Sequence, residues 1–425
     1  MNLIKELEWR GMIQNIMPGT EAQLEKEMTT AYIGFDPTAD SLHIGSLVQI
    51  ILLIHLQKAG HKPIALVGGA TGMIGDPSMK NEERVLLDEK QLNMNLEGIK
   101  RQLEKFLDFD DNKKNAAEIL NNYDWFKQIS FIQFLRETGK HITINYMMAK
   151  DSVKKRIESE TGISYTEFAY QLMQGYDFFW LYEHKNCKVQ MGGSDQWGNI
   201  VTGTELIRRK SGGEAFAFTC PLITKADGGK FGKTESGNVW LDAEKTTPYQ
   251  FYQFWLNASD EDAKKWLKIF TFLEKEIIDQ LILEHDADPS LRIVQHKLAK
   301  EVTLFVHGPE SLQAAEDTTK KLFAAKNAPA ETLSLEDLEN IEGIVKLKIE
   351  KNSLLSGIDI VSFLSSLQIL PSKSEAKKLL QNGGVSINRK KITDLQAVIN
   401  NHFLLHEKYI LVQKGKKNYF LVEAY

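Results

Sequence analysis

Two short stretches, far apart in the chain, carry residue types that handle phosphate. The first, HIGS at His43–Ser46, follows a β-like run and the turn Asp36-Pro37-Thr38, and it opens an apolar helical stretch, Leu47–Leu56. Backbone N–H groups at a helix N-terminus attract anions, and a residue as small as Gly45 lets a phosphate come close. The second, KFGKT at Lys230–Thr234, sits in a glycine-rich loop, Asp227–Gly237, with Lys225 just before it. Lysines on such a loop can follow a phosphate whose charge changes during a reaction. Either stretch alone also reads as an ordinary helix start or a solvated turn.

A third constellation is polar where a core would be dry. Tyr170, Gln174 and Asp177 stand at i, i+4 and i+7, which puts them on one helix face. A carboxylate there can accept the proton of a phenol, and a hydroxyl such as that of Tyr32 can donate or accept. Asp76, in Gly-Asp-Pro-Ser, is either the countercharge a buried ammonium needs or a loop cap. Taken singly, Asp177 also reads as a helix-surface acid and Tyr32 as a core strand residue.

The elements that must position these groups follow from the hydrophobic pattern. Residues 1–28 read as an amphipathic helix followed by a turn at Pro18-Gly19. From there to the KFGKT loop, β-like runs (clearest at Thr29–Gly34, Pro63–Val67 and Lys188–Met191) alternate with helical stretches. That alternation predicts an α/β fold of Rossmann type, a parallel sheet with helices on both faces. Ligands in such a sheet bind where loops leave the carboxyl ends of the strands. FDPTAD, GGATGMIGDPS and GGSDQWG fall at such places. Thr247–Leu322 has helical spacing throughout, and Ala325–Glu339 reads as a linker. After Gly357, helices over Asp359–Leu367 and Lys373–Gln381 lead through Asn382-Gly383-Gly384 into a strand and a basic hairpin. The expected division is a Rossmann-type α/β domain at 1–246, an all-helical domain at 247–324, a linker at 325–356, and a small α+β domain at 357–425.

Composition narrows the function classes. At 425 residues, 42% hydrophobic and 26% charged, the chain is an ordinary globular protein of two or three domains. No apolar run approaches the roughly 20 residues that span a membrane. The N-terminus, MNLIKELEWRGM, is unlike a signal or transit peptide. Cys187 and Cys220 have no metal-ligand spacing, and a cytoplasmic protein without a disulfide is expected. The net charge of −5 is unevenly spread. Pro371–Tyr425 holds ten Lys/Arg against four Asp/Glu, a local +6 that leaves −11 on the 370 residues before it. A basic module on an acidic body is the asymmetry of an appended RNA-binding domain.

Taken together, in this order and separation, HIGS and KFGKT resemble the two signatures of class I aminoacyl-tRNA synthetases. YIGFDPTADSLHIGS at Tyr32–Ser46 is similar to the first signature of the bacterial tyrosyl-tRNA synthetases. So are GGATGMIGDPS (Gly68–Ser78), NYDW (Asn122–Trp125), NYMMAKDSV (Asn145–Val153), YQLMQGYDF (Tyr170–Phe178) and MGGSDQWGNI (Met191–Ile200). The resemblance covers essentially the whole chain, its C-terminal module being like a small RNA-binding fold of a ribosomal small-subunit protein.

The resemblance implies attack of the tyrosine carboxylate on the α-phosphorus of ATP, then transfer of tyrosine to the terminal adenosine of tRNA(Tyr). It assigns the phenol hydroxyl of L-tyrosine to Tyr32 and Asp177, and its ammonium to Asp76, Tyr170 and Gln174. Gln190 and Gln196 would contact the amino acid or its carboxylate. Thr38, His43, Lys230, Lys233 and Thr234 would engage the pyrophosphate portion and Asp195 the ribose. Asp36, Gly45 and Ser46 complete the ATP site, and Lys80 and Arg84 are candidates near the phosphates. A site built to hydrogen-bond the hydroxyl rejects phenylalanine by leaving a buried group unpaired, and tyrosyl-tRNA synthetase is itself the worked example of that principle. Mg2+ would come with ATP, bound through its phosphates without a dedicated protein cage. RNA contacts are expected from Lys373, Lys377, Arg389, Lys390 and Lys391, and a homodimer with one tRNA bridging both subunits is implied, Tyr165 lying either at that interface or in a core.

Two departures stand out: Ser46 replaces the usual closing His of the first signature, and Ile33 replaces a frequent Cys. Weaker side-chain contact to the ATP ribose is expected from both. A tryptophanyl-tRNA synthetase and a noncatalytic RNA-binding paralogue are the rival readings.

Overall fold

The structure is a computed structural model describing residues 2–78, 88–158, 162–229, 231–234, 237–323, 329–339, 341, 344–415 and 418–425. The described chain divides into two compact units, Met1–Asp242 with Lys264–Gln280, and Ala243–Ala263 with Leu281–Tyr425.

The first unit is built on a six-stranded sheet. Its strands are β1 (Asn15–Ile16), β2 (Thr30–Phe35), β3 (Lys62–Val67), β4 (Glu118–Asn121), β5 (Cys187–Gly193) and β6 (Phe216–Cys220). Their order is β1-β6-β5-β2-β3-β4. All neighbours pair in parallel except β1, which runs antiparallel to β6. The central strands are apolar on both faces, as strands covered on both sides must be. From β2 the chain winds one way through β3 and β4, and later the other way from β5 to β6. The direction therefore reverses between β2 and β5, which is where such sheets open a crevice.

The N-terminal segment differs from the one amphipathic helix and Pro18-Gly19 turn expected within residues 1–28. It holds α1 (Leu3–Trp9) and α2 (Thr20–Lys26) with β1 between them. Asn15 and Ile16 pair with Thr219 and Phe218, and that sheet pairing removes them from helical geometry. The helix opened by HIGS is α3 (Ile44–Lys58), whose Ile50, Ile51, Leu52 and Leu53 are fully buried. The helix Tyr165–Lys185 starts at a capping box, Ser164 with Glu167, and stops at Asn186 in the left-handed region. Lys264–Gln280 is held to this unit by Arg10, whose guanidinium donates to the carbonyls of Lys268 (2.7 Å), Thr271 (2.8 Å) and Leu273 (2.8 Å). Short strands β7 (Lys233–Thr234) and β8 (Gly237–Asn238) form a hairpin in the KFGKT loop. Cys187 and Cys220 are buried free thiols.

The second unit contains the helix Pro248–Leu256, begun by a Thr247 capping box, and Ile293–Phe323, which kinks at Gly308 before Pro309. Its C-terminal part has strands β9 (Val345–Ile349), β10 (Ile358–Asp359), β11 (Val385–Ile387), β12 (Lys390–Ile392), β13 (Val398–Ile399), β14 (Tyr409–Lys414) and β15 (Asn418–Ala424). Five form one sheet, β12-β11-β14-β15-β9, while β10 pairs with β13. β9 lies within the segment read as a linker. It pairs in parallel with β15 because its partly buried Leu347 and buried Ile349 join the core around Phe363, Ile387, Val412 and Val422. Among the described residues no helix is long and apolar enough to cross a membrane.

Candidate active site

A cavity of about 260 Å³ opens at the carboxyl ends of β2 and β5, in the crevice the strand order creates. Tyr32 and Gln190 reach it from the strands themselves, where they are register partners. Asp36 and Thr38 follow β2, Asp76 lies in the loop beyond β3, and Asp195 and Gln196 lie in the turn after β5. Tyr170, Gln174 and Asp177 come down from one face of the Tyr165–Lys185 helix. Ten of the residues expected from sequence thus share one wall-to-wall space.

Asp177 is 2% exposed at the bottom of this space. Asn122 Nδ2 donates to its Oδ2 at 3.0 Å and Trp125 Nε1 to its Oδ1 at 2.9 Å. Burial pushes the carboxyl up to about 8, against the two donors, with Asp36 adding like-charge repulsion. Asn122 also donates to Thr71 Oγ1 (3.0 Å), and that hydroxyl donates to Asp36 Oδ1 (2.8 Å). Tyr170 Oη donates to Asp36 Oδ2 at 2.8 Å, closing a network from Asp177 to Asp36. Burial raises both Tyr32 and Tyr170 well above the usual phenol range, so both hydroxyls keep their protons. On the opposite side Gln196 Nε2 bridges Asp76 Oδ2 (2.8 Å) and Asp195 Oδ2 (3.1 Å). Burial and the Asp76 charge raise Asp195.

Four polar atoms of the cavity lining are buried without a hydrogen-bond partner among the described residues. They are Tyr32 Oη and the side-chain carbonyls of Gln49, Gln174 and Gln190. Buried polar atoms normally find partners, so a cluster of exceptions in one cavity suits a polar ligand. Asn122, Trp125, Thr71 and Gln49 are the members that the reading of individual residues passed over. For Asn122 and Trp125 the signal was present, an Asn and a Trp directly after a strand in NYDW; for Gln49 it was a polar side chain one turn beyond Ser46.

His43, Gly45 and Ser46 do not line that cavity. His43 is the N-cap of α3, its Nδ1 accepting from Gly45 N at 3.0 Å. A Cβ at residue 45 would lie 2.7 Å from the His43 ring, so the cap requires glycine there. The second motif meets the first at this point. Gly232, at φ +80, packs so closely that a Cβ would sit 3.1 Å from Ile44. Ile44 N donates to Val239 O (3.0 Å) and Val239 N to Gly232 O (2.9 Å), tying the loop to the helix start. Lys233 and Thr234 have their backbone in β7, while their side chains, and Lys230, Lys80 and Arg84 entirely, lie outside the described residues.

In the second unit Lys373 and Lys377 are exposed on the helix Lys373–Gln381, and Lys390 and Lys391 are exposed on β12. Arg389 is half-buried in the hairpin turn and donates to Lys321 O at 2.9 Å.

Residues 24–324 match the family of class I tRNA synthetases for tryptophan and tyrosine, and residues 326–422 match the tyrosine–tRNA ligase SYY-like C-terminal domain. The chain is 59% identical to a tyrosine–tRNA ligase of Parabacteroides distasonis over 100% of both chains. It is 58% identical to that of Flavobacterium johnsoniae, over 100% of this chain and 99% of the other. A C-terminally truncated mitochondrial tyrosyl-tRNA synthetase of Aspergillus nidulans superposes with a TM-score of 0.67 at 30% identity, over 76% of this chain and 94% of that one. A Plasmodium falciparum tryptophanyl-tRNA synthetase, 11% identical with a TM-score of 0.53 over 79% of this chain and 87% of its own, shares the fold alone. The chain belongs to the class I tRNA synthetases and, within them, to the tyrosine–tRNA ligases.

Proposed function

We propose that the cavity between β2 and β5 takes L-tyrosine ring first, with its phenol hydroxyl set between Tyr32 Oη and the Asp177 carboxyl. The observation that carries this reading is the pairing, in one cavity, of a buried acid held by two donors with a buried phenol hydroxyl that has no described partner. Tryptophan has no hydroxyl to satisfy that pair, and phenylalanine would leave it unpaired. Asp76, Tyr170 and Gln174 hold the ammonium, and Gln190 and Gln196 face the carboxylate side.

ATP enters over the carboxyl ends of the strands. Asp195 accepts from the ribose, Asp36, Gly45 and Ser46 border the nucleotide, and Thr38 and His43 face the pyrophosphate portion. Lys230, Lys233 and Thr234 follow it on their loop, and magnesium accompanies ATP through its phosphates. A tyrosine carboxylate oxygen attacks the α-phosphorus, the bond to the β-phosphate oxygen breaks, and pyrophosphate leaves with the negative charge that the lysines and amides stabilise. The 2′-hydroxyl of the terminal adenosine of tRNA(Tyr) then attacks the tyrosyl carbonyl, the bond to the adenylate phosphate oxygen breaks, and AMP leaves as the hydroxyl proton is released. Exposed Phe131, Ile132, Ile144 and Tyr165 are the apolar surface on which a second copy would pair as a homodimer. The compartment is the cytoplasm, where tRNA is charged.

The test is exchange of labelled pyrophosphate into ATP by the purified chain. Exchange with tyrosine and not with tryptophan or phenylalanine is expected. Exchange with tryptophan alone would refute the Tyr32/Asp177 reading, and none with any amino acid would leave only RNA binding.

A further inference from the structure

Between Asp227 and Gly237 the KFGKT loop carries one apolar side chain, Phe231, set between the two lysines of the motif. With glycines at 228, 229, 232 and 237, the loop backbone has little of its own to hold it in one conformation. Phe231 supplies a hold. Its ring meets Trp266 edge to face, with centroids 4.9 Å apart, and stacks on Phe270 at 5.2 Å, the two arrangements aromatic pairs prefer. Trp266 and Phe270, 2% and 1% exposed, stand at i and i+4 on the helix Asp260–Phe270 and so share a face. The seat they make is itself braced. Directly after it, Arg10 donates to the carbonyls of Thr271 and Leu273, and Phe272 lies 5.3 Å from the His55 ring with Lys58 Nζ 3.9 Å over its face. His55 and Lys58 belong to α3, the helix that HIGS opens. One helix therefore ties the phosphate end of the site to the seat of Phe231.

We infer that Phe231 is a positioning residue for adenylate formation: seated on Trp266 and Phe270, it fixes where the backbone departs for Lys233, and so where that ammonium meets the phosphates. The inference rests on the reading of Lys233 as a phosphate contact. Phe231 acts through that lysine and not on substrate. Two anchors share the task. Gly232 presses the backbone against Ile44, and Phe231 sets the direction in which the chain crosses that point. A lysine whose backbone is already placed loses less freedom on reaching the transition state, and positioning of this kind raises the rate of the chemical step.

The experiment is single-turnover formation of tyrosyl-adenylate by the full chain, comparing Phe231→Ala, Lys233→Ala and the double variant. Phe231→Ala is expected to slow the step about tenfold to 10²-fold, the scale of a catalytic group displaced by up to about 1 Å, with the dissociation constant for tyrosine unchanged. In the Lys233→Ala background the same replacement should cost less than about threefold, because the group it positions is gone. Phe231→Tyr keeps the ring and should keep the rate. Trp266→Phe, which alters the seat from the other side, should show the same non-additivity with Lys233→Ala and serves where Phe231→Ala does not fold. Equal costs in the two backgrounds, or a wild-type rate in Phe231→Ala, overturn the inference. So does a loss that appears in tyrosine affinity instead of in the rate, which marks a general disturbance of the fold. A Lys233→Ala chain with the wild-type rate would overturn the reading of the lysine itself, an outcome separate from an indifferent Phe231.

Discussion

Trp125 Nε1 donates to Asp177 Oδ1 at 2.9 Å, and the same indole ring is stacked on Trp180 with centroids 4.1 Å apart. The acid at the bottom of the cavity is thus aimed by a ring that is itself clamped, and its donor favours the charged carboxylate. Because burial has raised Asp177 to about 8, lowering the pH through that value protonates it. A protonated carboxyl accepts from the tyrosine hydroxyl more weakly than the carboxylate does, so kcat/KM for tyrosine should fall as the pH drops through about 8 and level off below it. Trp125→Phe keeps a stacking ring and removes the donor, which should move this inflection up by about one to two units. The KM for ATP should not follow it. A profile that stays in place in the variant would separate Trp125 from the acid.

Tyr32 offers a test in which stability and function part. Its hydroxyl is buried without a described partner, and an unsatisfied buried hydroxyl costs about 1–3 kcal/mol. Tyr32→Phe should therefore melt at or above the wild-type temperature while raising the KM for tyrosine about threefold to tenfold, the loss of one neutral hydrogen bond. Calorimetry and exchange kinetics on the same preparation decide this; a variant that melts well below the wild type contradicts it.

At the helix start, Gly45→Ala would place a methyl group 2.7 Å from His43 Cε1. The ring must swing away, and displacing a catalytic group by about 1 Å can cost about 10²-fold. Single-turnover adenylate formation should slow by that order with tyrosine affinity unchanged. Lys233→Ala should slow the same step about 10²–10³-fold, the scale of one lost transition-state donor. Wild-type single-turnover rates in either variant would remove that residue from the phosphate site.

The basic residues of the C-terminal module should divide into two kinds. Replacing exposed Lys373, Lys377, Lys390 and Lys391 together by Ala should weaken tRNA binding and lower the salt slope by about 3, with adenylate formation intact. Arg389→Ala should instead lower the melting stability by about 1–2 kcal/mol, because the guanidinium holds the Lys321 carbonyl. Titration of tRNA at several salt concentrations, beside a melt of each variant, separates the two.

The strands that carry the site were legible because their apolar runs are continuous, and their observed limits differ from the expected ones by one or two residues. The Tyr170–Gln174–Asp177 stripe was equally legible, since 3.6 residues per turn place those positions together whatever surrounds them. The N-terminal segment was not, because a two-residue strand such as Asn15–Ile16 has no periodicity and exists only through its partner β6. β9 escaped for a related reason: its partner β15 begins at Asn418, and parallel pairing across that distance leaves no local trace.

From the sequence alone came the residue types, the helix faces, the strand ends and the family resemblance, all of which follow from local periodicity and linear motifs. Only the tertiary structure decided that Asn122 and Trp125 hold Asp177, that Gly232 brings the KFGKT loop onto Ile44, and that Gln49 donates to Cys220. Those relations join residues 52 to 188 positions apart in the chain, and contacts of that range depend on how strands are ordered and helices cross, which no local pattern encodes.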